Sequence, residues 1–248
     1  MENSVPLIPE PPPVRPLWQR YIAATLYLIV SFLFTQSIAL VMAYTSTPPV
    51  NEKDGLPFSF LMNAIVVQMV GFLLPAPLLL KFTRASYFSF HRVRLREVFL
   101  SIGLVFASMT SFSLLYTALG IEPQQMGFLN GEDILRNKAA FVVITSVAVP
   151  AYEEWIFRGL LFGVLTTQVT KPSQIILAGL FCVTLFTLSH IEGKHSLSAL
   201  PPIFTMALIF QYMTWRTQSL WPSVAAHAVQ NLLSSAVFFA KFAEHTAK

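Results

Sequence analysis

Residues 150–161 read PAYEEWIFRGLL, with Glu153, Glu154 and Arg158 set in a run otherwise fit for the middle of a membrane. Each ionised side chain at the centre of a bilayer helix costs roughly 2.5–3.5 kcal/mol on insertion scales. A sequence that places three such groups within one and a half turns has to offset that cost through their partners. Glu154 and Arg158 are four apart, so on a helix they share a face and can pair. Glu153 lies about 100° around the same helix and points elsewhere.

The surroundings decide the class. Of 248 residues, 54% are hydrophobic and only 11% charged, and mean hydropathy is +0.61. A soluble domain carries about 25% charged residues. The sequence therefore predicts an all-α fold, a polytopic transmembrane helix bundle of about seven spans. Apolar runs place those spans near 21–44, 58–80, 98–119, 139–167, 173–190, 197–214 and 221–240. Pro75 and Pro77 are expected to kink the last turn of the second. The last three are short for a hydrocarbon core of about 30 Å.

Three regions follow: a disordered, solvated proline-rich tail over 1–17, N-terminal transmembrane helices over 18–135, and a transmembrane core over 136–240 that holds the charged stretch. Trp18, Arg20 and Tyr21 read as interfacial anchors of the first span, and Trp215 and Trp221 as belt residues. The stretch KFTRASYFSFHRVRLRE, 81–97, alternates more than it follows helical spacing, and it reads as an interfacial segment. It carries Lys81, Arg84, Arg92, Arg94 and Arg96, the densest basic cluster in the chain. Counting Lys and Arg by side puts that loop and the N-terminus in the cytoplasm, and seven spans put the C-terminus outside; a bacterial cell membrane is the expected location. The single cysteine, Cys182, excludes an intramolecular disulfide or a Cys-based zinc cluster. No basic patch interleaved with aromatics points to nucleic acid.

Further polar residues lie in the later spans. His190 ends the fifth, in FTLSH, and His227 and Asn231 stand four apart in the seventh, in HAVQN. Phe186 lies one turn before His190 and can pack beneath its ring. Three helices thus each present a polar face, and lipid offers such faces no partner, so they should turn onto a common cavity. Taken singly, a Glu–Arg pair is ordinarily structural, and an intramembrane histidine or asparagine can be interhelical glue. His91, His195, His245 and Glu192 read as loop or tail residues. Together, an unpaired carboxylate, two histidines and an asparagine exceed what a stabilising pair requires. A desolvated carboxylate is a better base towards water. One histidine can hold or share the proton of that water, and a second with an amide supplies donors to an oxyanion. This is the kit for amide hydrolysis without a covalent intermediate, and Ser146, Ser189 and Cys182 lack a nucleophile's base.

EEWIFR fits an EExxxR motif, FTLSH an FxxxH motif and HAVQN an HxxxN motif, in that order. The set resembles the signature of the CPBP (Abi) family, the CAAX-protease and bacteriocin-processing intramembrane glutamic proteases related to Rce1-type prenyl proteases. The resemblance implies that Glu153 is the general base and that His190 helps position the water. It implies that His227 and Asn231 form an oxyanion hole and that Glu154 and Arg158 stabilise the site, without cofactor or metal. Its implied partners are membrane lipid and a membrane-associated or lipidated peptide substrate, which a lining rich in phenylalanine (Phe157, Phe162, Phe181, Phe186) would suit. Two other readings stay open. One is a zinc protease using His190, His227 and a glutamate. The other is a non-enzymatic bacteriocin-immunity protein, scaffold or transporter.

Overall fold

A computed structural model describes residues 13–45, 58–121, 131–191 and 197–246 of the chain. Most of the proline-rich tail and the loop residues Glu192 and His195 lie outside the described residues. Among the described residues there is no strand. The helices are α1 (Leu17–Thr45), α2 (Phe58–Leu73), α3 (Ala76–Thr83), α4 (Leu95–Leu119), α5 (Gly131–Arg136), α6 (Lys138–Thr166), α7 (Pro172–Leu188), α8 (Leu200–Thr217) and α9 (Trp221–Thr246).

Five stretches are long and apolar enough to cross a membrane: Leu17–Ile38, Phe58–Thr83, Leu95–Leu119, Lys138–Thr166 and Trp221–Ala240. The other two expected spans are helical but shorter or less apolar, with α7 at 17 residues and α8 at 18. Large apolar side chains stand exposed along the bundle, Leu78, Phe99 and Leu114 among them, as a surface against lipid requires. The chain forms a helical bundle of an integral membrane protein.

Proline explains the break in the second span. It cannot donate to the helix ladder, and the chain turns at Leu74–Pro75 before restarting as α3. The basic stretch after α3 takes no regular secondary structure over 85–94. It crosses the end of α6 as an extended run, where Phe88 N–H donates to Gly159 O at 3.0 Å. Gly163 makes that approach possible, because a Cβ there would lie 2.7 Å from Tyr87 Cα and 3.0 Å from Phe88 N.

Arg20 corrects its reading as an interfacial anchor. It is buried, and its guanidinium donates to Val164 O at 2.9 Å and Thr167 O at 2.7 Å. The last carbonyls of a helix have no partner within it, so a cation at this end of α6 satisfies them and meets the negative pole of the helix. The end of the tail is docked too: Arg15 N–H donates to Thr83 O at 3.2 Å.

Candidate active site

Two π-helical segments interrupt α6, at Ile144–Ala148 and Trp155–Leu161, and Glu153 and Glu154 fall in the α-turn between them. The first follows from Pro150. In a regular helix the carbonyl of Ser146 would wait for an N–H that Pro150 does not have. Instead Val149 N–H bonds to Ile144 O, five residues back. Thr145 O thereby loses Val149, and its own donor five residues on would be Pro150. Asn231 of α9 fills the gap, donating Nδ2–H to Thr145 O at 2.8 Å. Single-turn π bulges of this kind recur at functional sites.

The two glutamates divide as their spacing suggested. Glu154 is fully buried and accepts from Arg158 Nη1 at 3.1 Å. Arg158, also fully buried, donates through Nη2 to Ala207 O of α8 at 3.3 Å. Its guanidinium lies 4.2 Å from the Phe186 ring centroid and 5.5 Å from that of Phe210. Charge, hydrogen bonds and cation–π contact therefore converge on one buried cation.

His227 ties the glutamates together. Its Nδ1 is 3.1 Å from Glu154 Oε1 and its Nε2 is 3.8 Å from Glu153 Oε2, too long for a hydrogen bond. Its ring stacks on Phe210 at 5.2 Å between centroids. His190 sits in the turn after α7, with Nδ1 2.8 Å from Phe186 O. As expected, Phe186 packs against it, with ring centroids 4.6 Å apart, and it also reaches His227 at 6.1 Å. Phe186 thus holds both histidines and Arg158 in one aromatic layer.

Glu153, Phe186, His190, His227 and Asn231 line a single cavity of about 540 Å³. Glu153 keeps 18% of its side chain accessible there, whereas Glu154 keeps none. Polar groups that the motifs did not single out share its wall, notably Gln68, Thr145 and Gln230. Pro150 was the signal for Thr145, since a proline inside a helix always orphans a carbonyl. Phenylalanine does line the cavity, as Phe60, Phe141, Phe186, Phe210 and Phe238, but these are mostly not the four the sequence offered. Of the four, only Phe186 borders the cavity, while Phe157 and Phe162 are core residues and Phe181 packs edge-on against Tyr21. Their spacing on the helix faces could not separate cavity from core.

Among the described residues no three His, Cys, Asp or Glu side chains converge as metal ligands. His190 points its Nδ1 at a carbonyl, and His227 has a glutamate against each nitrogen.

The chain is 26% identical over 127 residues to a Bacillus subtilis (strain 168) protein whose name reads "Putative membrane peptidase YdiL". That stretch covers 51% of this chain and 49% of that protein, so the match spans about half the length of the curated relative. No solved structure matches the chain. Residues 135–233, which carry all three motifs, match the family described as type II CAAX prenyl endopeptidase Rce1-like.

Proposed function

We propose that the chain is an intramembrane endopeptidase that hydrolyses a peptide bond with water activated by Glu153. The observation that carries this reading is the unequal pair: a fully enclosed Glu154, held by Arg158, beside an accessible Glu153 on the wall of a cavity that His190, His227 and Asn231 also line. The membrane peptidase named in the comparison and the matched family support a protease in general. The residue roles and the substrate are this proposal's own.

In the reaction, water placed between Glu153 and His190 loses a proton to the Glu153 carboxylate as its oxygen attacks the scissile carbonyl carbon. His190 donates Nδ1–H to Phe186 O, which leaves Nε2 with a lone pair to accept from that water. The developing oxyanion is met by Asn231 and His227. Asn231 has two N–H groups and Thr145 O engages one, so the second remains for the substrate. His227 stands with Nδ1 3.1 Å from Glu154 Oε1, and its other ring edge faces the cavity beside Asn231. As the C–N bond breaks, Glu153 returns its proton to the leaving amine, which yields a carboxyl and an amino terminus and restores the carboxylate.

The substrate class is a membrane-associated or lipidated peptide, because the cavity lies among the spans. The test compares membrane proteomes of cells carrying the wild type and Glu153→Gln. A membrane polypeptide that is cut only with the wild type is expected. Identical termini in both membranes would contradict the proposal. A zinc protease would instead carry stoichiometric zinc and lose that cut after chelation.

A further inference from the structure

The side of the membrane from which the cavity is served can be read from where its walls lie along each helix. Gln68 is in the first half of the span Phe58–Thr83, Thr145 is in the first half of α6, and Glu153 stands at the middle of α6. His190 follows the end of α7, and Met206 is in the first half of α8. Asn231 and Ser234 come after the first two turns of α9. Chain direction alternates between these helices, so these positions fall in one half of the bundle, with Glu153 at its inner limit. Hydrogen bonds fix that end independently, since Phe58 N–H donates to Asp133 Oδ2 and Tyr116 OH to Ser198 O.

The opposite end is where the extended run 85–94 crosses α6, and where Ser219 Oγ–H donates to His91 O at 2.7 Å. Lys81, Arg84, Arg92, Arg94, Arg96 and Lys171 stand exposed there. Among the described residues at that end, Arg216 and Arg96 pair with the buried Glu97, at 3.1 Å each. At the cavity end the described charges balance, with Glu132 and Asp133 against Arg136 and Lys138. Short basic loops beside helix ends stay in the cytoplasm. Glu153 lies 13 residues from one end of α6 and 15 from the other, so it sits roughly 20 Å from each at about 1.5 Å rise per residue.

We infer that the cavity opens to the non-cytoplasmic side, from that surface down to the bilayer midplane at Glu153. The substrate is then a polypeptide segment held in the non-cytoplasmic leaflet, as remains anchored after export. A C-terminal peptide anchored by a lipid in the cytoplasmic leaflet would meet the closed, basic end. The direction of opening stands on geometry and charge; only the statement of what is cut rests on the peptidase reading.

Single-cysteine variants in a Cys182→Ala background test it, with a membrane-impermeant maleimide applied to right-side-out and inverted vesicles. Ala139→Cys, exposed at the cavity end, and Ser234→Cys, in the cavity wall, are expected to label at least tenfold faster in right-side-out vesicles. Ser86→Cys, in the extended run, should show the reverse preference. The opposite pattern for all three would overturn the inference. So would a Ser234→Cys that labels from neither side while Ala139→Cys labels from outside, since the cavity would then not be open there. Labelling requires no turnover. The expected pattern without any cut polypeptide in the proteome comparison would therefore sink the peptidase reading alone.

Discussion

The two halves of α6 have the same apolar composition and opposite surroundings. From Ile156 to Leu165 every side chain is buried, by α1, by α7 and by the extended run over Gly159 and Gly163. From Lys138 to Val149 most side chains are exposed or half-buried, against lipid or the cavity. The charges sort accordingly. Glu154 and Arg158 lie on the enclosed side, where each has hydrogen-bonding partners, and Glu153 lies at the boundary, where its carboxylate faces the cavity. A charge deep in a low-dielectric site needs a partner to persist; a charge on the wall of an accessible cavity is free to act. The enclosed half holds the helix in place, and the open half meets the substrate.

The largest effect should come from breaking the enclosed half. Arg158→Ala leaves Glu154 buried and unpaired and removes a guanidinium packed on Phe186, so about 3–5 kcal/mol of stability should go. Thermal unfolding in detergent and abundance in membranes measure this. Normal abundance with selective loss of turnover would move Arg158 into the reacting group instead. In the open half, Asn231→Ala removes one oxyanion donor and the clasp on Thr145 O. Turnover should fall about 10²–10³-fold with folding retained, whereas a zinc site built on histidines would leave this variant nearly as active as the wild type. Gly163→Ala returns to the enclosed half. Its methyl meets backbone atoms of Tyr87 and Phe88 that cannot rotate away, and overpacking of this kind costs about 1–3 kcal/mol. Smallest is Arg20→Met, which keeps the apolar stem but leaves Val164 O and Thr167 O without their donor, at about 1–2 kcal/mol by unfolding midpoint.

Much of this was legible from residues alone, because a charge in an apolar run is conspicuous and helical spacing says which charges share a face. The pairing of Glu154 with Arg158, the packing of Phe186 on His190 and the break at Pro75 were all readable in that way. What could not be read depends on which surface a helix turns to its neighbours. Arg20 and an interfacial anchor look alike in sequence, and only the end of α6 lying against α1 makes Arg20 a cap. Phe157, Phe162 and Phe181 match Phe186 in type, yet packing puts them in the core. The first π segment arises from competition for backbone donors around Pro150, which local spacing hints at without placing Asn231 opposite. The basic stretch over 81–97 signalled an unusual conformation, but the groove that receives it exists only because Gly159 and Gly163 lie one turn apart on a distant helix.

The division of labour between the two glutamates is tested most directly by purifying Glu153→Gln and Glu154→Gln side by side and measuring unfolding midpoint and turnover of the polypeptide found by proteome comparison. Glu153→Gln should unfold with the wild type while turnover falls about 10²–10⁴-fold, the range for loss of a general base. Glu154→Gln should lose stability first, since it uncouples both Arg158 and His227. A stable and fully active Glu153→Gln would contradict the account.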